Sequence, residues 1–182
     1  LRTIDRLITS LGYSEKGIYI PSPSPERTVV FVPSAPLKRI PKAEEIEDTF
    51  SKTPEGLTLV PPGTAVANLF ERELGIDFSK CTLETLRQRL PKLLIEDLEI
   101  VQDFEMHVNG NSVRLKFTES IYEDFCRDLK GSTAVCSSLG CPICSAMACI
   151  LARATGKPVE FHQDTFSPDG RTVESEYRIL EW

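Results

Sequence analysis

Cys136-Ser-Ser-Leu-Gly-Cys-Pro-Ile-Cys-Ser-Ala-Met-Ala-Cys-Ile-Leu-Ala-Arg-Ala-Thr-Gly156 is the stretch around which the rest of the chain organises. Four of the six cysteines lie in it, spaced C-x4-C-x2-C-x4-C. Pro142 suits a first helical position, where the missing N–H costs nothing and φ is already set. Cys141 is then the N-cap and Cys144 stands in the first turn. Gly156 supplies a left-handed stop, and Lys157-Pro158 cannot continue the helix. Between these ends Ile143, Met147, Ile150, Leu151 and Ala154 recur at helical spacing as an apolar face. Ser145, Cys149 and Arg153 fall on the narrow opposite side, and the alanines allow close packing.

A thiol at a helix N-terminus feels the positive end of the dipole, which favours the thiolate. Cys141 and Cys144 share the first turn and could chelate a metal or form a redox pair. Cys149 points away from Cys144, so four sulfurs do not easily reach one ion. Free cysteines also serve as small buried hydrophobes, and core thiols, a metal site and redox thiols all stay open at this point. C-x4-C-x2-C matches plant-type ferredoxin spacing as well. A fourth ligand would then lie far downstream, and no cysteine follows Cys149.

The whole chain has 182 residues, 41% hydrophobic and 26% charged, with a formal net charge of −6. That is an ordinary globular composition, and the acidic balance disfavours binding to a nucleic-acid backbone. No apolar run is expected to reach the ~20 residues of a membrane span, and no signal peptide is visible. The cysteine spacing is unlike a secreted disulfide framework and points to a reducing cytoplasm. Leu1 opens in mid-pattern, so the chain reads as part of a longer protein.

Outward from the cysteine stretch, the chain divides into an N-terminal segment, 1–61, and a main α+β domain, 62–182. In the first, Leu1, Ile4, Leu7, Ile8 and Leu11 form a helical stripe closed by Gly12. The helix either connects to a partner or packs on its own domain. Ile18-Tyr19-Ile20 and Thr28 to Val32 read as strands around a proline-stiffened turn. Pro33 to Pro62 reads as an irregular arm, with a helical turn near Ile46 and a short strand at Leu57 to Val60. Its acidic patch, Glu44, Glu45, Glu47 and Asp48, reads as a solvated face.

In the main domain, Gly63 to Leu74 is a helix with Val66, Phe70 and Leu74 inward. Thr82 caps another, interrupted at Pro91. Phe104, Met106 and Val108 alternate with Glu105 and His107 before a turn at Asn109-Gly110, after which Val113, Leu115 and Phe117 return. Ser120 to Lys130 is expected to be a helix; Cys126 on it and Cys81 are read as core. Val159 and Phe161 pair with Val173, Tyr177 and Ile179 around Ser167-Pro168-Asp169-Gly170. That alternation turns His162 outward with Glu160 and Asp164 and points Gln163 inward, unless a bulge intervenes. His107 is read as exposed.

From Pro62 to Trp182 this order of elements resembles the 4-vinyl reductase domain family. Cys141-Pro142, the small-residue helix, Gly156-Lys157-Pro158-Val159 and Glu176-Tyr177-Arg178-Ile179 carry the likeness. It implies an antiparallel sheet of hairpins packed with helices, enclosing an apolar pocket, often in a homodimer, with small-molecule sensing as the function. Phe104, Met106, Met147, Phe161 and Tyr177 are the expected pocket residues. Some members hold zinc through a Cys at the start of the Cys-Pro helix, an acidic residue on the next strand and two late cysteines. Here only Cys141 matches: the acidic position falls at Gln163 or Asp164, and the late cysteines are replaced near Phe166 and Ser175. A zinc site would have to recruit Cys136 or Cys144, with Asp164 or His162.

Three functions follow: a non-catalytic ligand-binding module for a small apolar molecule; a metal (Zn or Fe–S) or redox-thiol protein using Cys136, Cys141 and Cys144; and an interaction domain of a longer chain. No Ser/His/Asp set, phosphate loop or H-E-x-x-H occurs, so an enzyme is the reading with least support.

Overall fold

The computed structural model describes residues 2–23, 28–121 and 133–182. It is α+β, with all its described strands in one antiparallel sheet. The strands are β1 (Ile18–Pro21), β2 (Thr28–Pro33), β3 (Phe50–Lys52), β4 (Glu55–Leu59), β5 (Asp103–Asn109), β6 (Ser112–Thr118), β7 (Val159–Phe166) and β8 (Thr172–Ile179). The helices are α1 (Arg2–Leu11), α2 (Thr64–Leu74), α3 (Leu83–Lys92), α4 (Thr133–Leu139) and α5 (Pro142–Thr155). Strand order is β3-β4-β2-β1-β7-β8-β6-β5. The sheet therefore crosses the expected divide at 61/62: β1 of the N-terminal segment pairs directly with β7.

Burial on both faces explains the first strands. Tyr19, Val30, Val32 and Leu57 point into the main core beneath the helices. Ile18, Ile20 and Phe31 point the other way, into a second cluster closed by Ala43 and Ile46 of the proline-rich arm. A strand covered on both sides needs apolar residues at consecutive positions, which is why Ile-Tyr-Ile and Val-Val-Phe-Val occur. The arm is thus a cover for the sheet, mostly irregular but including a 3-10 turn at Ala43–Glu45 and the β3–β4 hairpin. Glu45 is more than solvated surface. Its carboxylate takes both Arg39 terminal nitrogens, at 2.8 and 2.5 Å, and accepts from Lys42 N. The Arg39 bond, first, holds Glu45 down to about 2.

The amphipathic α1 packs on its own domain. Ile8 is fully buried and Ile4 and Leu7 partly so, while Leu11 is exposed at the helix end. Asp5 accepts a bond from Val135 N at 3.1 Å, so one helix satisfies the first turn of another, α4. Pro91 does not interrupt α3. The helix continues to Lys92 and passes into a π turn, Leu93–Asp97, whose wider winding follows the proline's lost N–H.

The β5–β6 turn lies one residue later than expected. Asn109 pairs with Ser112, leaving Gly110-Asn111 as the loop. Gly110 takes φ +59° as the first central residue, the conformation that a glycine-first hairpin turn requires. Ser120 to Lys130 and Cys126 lie for the most part outside the described residues. Cys81 is half-buried, its Sγ 3.3 Å from the Asp77 carbonyl.

One described stretch does meet the length and composition of a membrane span, against the expectation from sequence: Ala134–Thr155, 22 residues with mean hydropathy 1.9. In the fold it is two helices, α4 and α5, with 78% of its apolar window buried inside the protein.

Candidate functional site

Helix α5 begins as its sequence dictates, with Cys141 extended at the N-cap, Pro142 first in the helix and Gly156 at the end. Every residue from Ile143 to Arg153 is buried. The side expected to be narrow and opposite is therefore interior as well, because α2 covers the face that the sheet does not.

Ser145, Cys149 and Arg153, at i, i+4 and i+8, form a polar seam within this core. Ser145 Oγ accepts from Gly63 N at 2.9 Å and shares a 2.9 Å bond with the Tyr19 hydroxyl. Tyr19 in turn donates to the Leu139 carbonyl at 2.6 Å. At the other end Arg153 bonds Thr28 Oγ1 through Nε at 3.3 Å and lies 3.5 Å from the Glu71 carboxylate. Glu71 also accepts from Phe78 N at 2.7 Å. Burial pushes Cys149 up to about 12, against the opposing influence of Arg153. Sequence periodicity alone did not single this seam out as buried. Its signal was the lone arginine on an otherwise alanine- and isoleucine-rich helix, which demands a buried carboxylate.

The chain enters α5 through Gly140, at φ +73°. A Cβ there would stand 2.9 Å from Cys144 Cβ and 3.1 Å from Phe161 Cζ, so only glycine lets α4 close on the strand. Cys141 and Cys144 are both buried, and Cys136 is half-buried on α4. Tyr177 donates to the Cys144 carbonyl at 3.0 Å. Burial first, and neighbouring thiols second, raise both Tyr19 and Tyr177 well above the ordinary phenol range.

A β-bulge between Phe161 and Gln163 resets β7. The extra residue at His162 reverses the alternation beyond it: Gln163 is exposed and Asp164 is partly buried, the reverse of the simple alternation. Asp164 thus comes within electrostatic reach of Cys136 and Cys141. Burial, then Cys141, raises Asp164, while burial, then Asp164, pushes Cys136 up to about 11. His162 stays on the sheet's outer side with Arg178 Nη2 at 3.0 Å and Glu160 at 3.5 Å. His107 is exposed beside Glu105, 3.1 Å away.

Zinc needs deprotonated sulfurs converging on one centre. Among the described residues no group of three or more His, Cys, Asp or Glu is placed to hold a metal ion. Cys136, Cys141, Cys144 and Asp164 are neighbours but not a ligand set, and burial favours the protonated forms of Cys136 and Asp164. The residues present do not fit the metal that the resemblance implied.

The five residues read as pocket-lining, Phe104, Met106, Met147, Phe161 and Tyr177, all lie in the main apolar core, with the Phe161 and Tyr177 rings 5.7 Å apart and Phe104 5.2 Å from Phe117. Met106 also floors a surface depression of about 480 Å3 between α3 and β5, lined by Leu83, Glu84, Arg87, His107 and Val108.

The raised Cys136 carries a kinetic prediction. An ordinary thiol, half ionised near 8.5, gains only about tenfold in thiolate between pH ~7.5 and ~9.5. Cys136 gains about 100-fold over the same interval, given its value of about 11. Iodoacetamide labelling followed by peptide mass spectrometry reads this directly. A tenfold rise at Cys136 would place it in an unperturbed environment.

A family described as Domain of unknown function (DUF7982) has a sequence model that matches residues 2–177, and the chain belongs to that family. No curated protein and no solved structure matches the chain.

Proposed function

We propose that this member of the family is a non-catalytic module that binds a small apolar molecule, with the architecture of a 4-vinyl reductase domain. One observation supports the reading: Phe104, Met106, Met147, Phe161 and Tyr177, from β5, α5, β7 and β8, all lie in the main apolar core, and Met106 also lines the surface depression beside α3. Pockets that take small organic ligands are built this way, apolar with a few oriented polar groups. Tyr177 is such a group, its hydroxyl already directed at a backbone carbonyl.

The reactive groups support binding over catalysis. Cys81, Cys136 and Cys149 are all shifted upward, each chiefly by burial. A nucleophilic thiol needs a shift in the other direction. His107 and His162 face outward and are bonded to Glu105 and Arg178, and among the described residues neither is bonded to a nucleophile it could activate.

Titration with anilinonaphthalene sulfonate tests the reading. Saturable binding of about one probe per chain is expected, with fluorescence lost in Met147→Trp, which fills the cluster. Circular dichroism and the melting temperature verify that the variant folds. Non-saturable binding, or binding that survives Met147→Trp in a folded protein, would overturn the assignment.

A further inference from the structure

Among the described residues the sheet ends on two unlike edges. β3 is three residues long, and short edge strands resist pairing with other chains. β5 at the other end runs for seven residues, in unbroken register with β6. Asp-Phe-Glu-Met-His-Val-Asn contains no proline, no lysine and no bulge, three of the devices that blunt an edge, and its charges are the two acids Asp103 and Glu105. Val108 is 40% exposed on it.

The register says which backbone groups are offered. A two-residue hairpin makes Asn109–Ser112 a hydrogen-bonded pair, and such pairs alternate along the ladder. Asp103, Glu105, His107 and Asn109 therefore direct their N–H and C=O toward β6. Phe104, Met106 and Val108 direct theirs outward.

We propose that the chain forms a homodimer by antiparallel pairing of two β5 edges about a two-fold axis at Met106, which makes one continuous sheet. In this register Phe104 faces the partner's Val108, and Met106 faces the partner's Met106. Each such pair exchanges both backbone bonds. Glu105 then lies opposite the partner's His107, and Asp103 opposite the partner's Asn109. These are the non-hydrogen-bonded positions, where side chains approach most closely, and each sets a carboxylate against a hydrogen-bonding side chain.

The neighbouring register is disfavoured. A two-fold axis at Glu105 sets two carboxylates face to face. An axis at His107 opposes two imidazoles and leaves Phe104 beyond the pairing. The strand is self-complementary about Met106 because its acids lie in the N-terminal half and its histidine in the C-terminal half. The depression between α3 and β5 leaves space beside the C-terminal half of the strand. The edge argument does not rest on the ligand reading, but the two share Met106 and the depression beside it, so the dimer is read by mass and the ligand by probe binding, separately.

Sedimentation equilibrium on the chain should give twice the 20.4 kDa chain mass. His107→Glu sets like charges opposite each other twice per interface and should weaken the dimer by tenfold or more. His107 is 68% exposed, and an unaltered circular dichroism spectrum verifies that the fold survives the change and the loss of its contact with Glu105 of the same chain. Adding Glu105→Lys reverses both members and should restore the dimer. A monomeric wild type, a dimer indifferent to His107→Glu, or a failure of the charge reversal to rescue would each overturn the proposal.

Discussion

Gly63→Ala is expected to destabilise the protein by about 3 kcal/mol, a large effect for one added methyl group. A Cβ on Gly63 would stand 2.0 Å from Ala146 N, 2.5 Å from Ala146 Cα and 2.5 Å from the Ser145 carbonyl carbon. All three are backbone atoms in the middle of α5, so no side chain can rotate away. The helices must separate, and with them goes the Gly63 N–H bond to Ser145 Oγ. Gly63 and Ser145 then lose a partner in a buried place, where an unmade bond costs about 1–3 kcal/mol. For a chain of this size the melting temperature should fall by about 6–12 °C. A loss below about 1 kcal/mol in urea unfolding would mean that α2 and α5 are not in this contact.

The second large effect is expected at the far end of the same seam. Glu71→Gln keeps the size of the side chain and an acceptor for Phe78 N–H, but removes the charge that faces Arg153. The Arg153 side chain is 2% exposed and that of Glu71 13%. Removing one member of a buried ion pair costs about 3–5 kcal/mol, because the other charge stays out of water without compensation. Replacing both members with uncharged residues of similar volume costs much less. Glu71→Gln with Arg153→Met should therefore be more stable than Glu71→Gln alone. The double-mutant cycle decides the point: additive losses would show that the two side chains do not interact across the 3.5 Å separation.

How much of this was legible in the sequence differs by element, for physical reasons. The hairpins β5–β6 and β7–β8 were legible because half-buried strands alternate and hairpins are local. The ends of α5 were legible because Pro142 and Gly156 act within one turn of the backbone. The bulge at His162 was not, since an extra residue shows only against the partner strand, and it alone decides whether Gln163 or Asp164 faces inward. The course of α3 through Pro91 was missed because a lost hydrogen bond can be absorbed by a wider turn. Phe104, Met106, Met147, Phe161 and Tyr177 were legible as inward-facing from strand alternation and helical spacing, and all five lie in the main core. The polar seam of Ser145, Cys149 and Arg153 was seen as a helix side but not as interior, because its cover, α2, is distant in sequence.

The same distance governs the position of β1. It lies inside the sheet between β2 and β7, with Ile18 opposite Glu160, 142 positions later in the sequence. A loop that long carries a large closure entropy, and contacts of this kind slow folding. On a ribosome the β1–β2 hairpin emerges well before β7 and must wait, its β1 edge open, until β7 has been made. The stage most exposed to aggregation is therefore set by the arrival of β7. A chaperone that shields Ile18 to Pro21 would act on the step that matters most for yield.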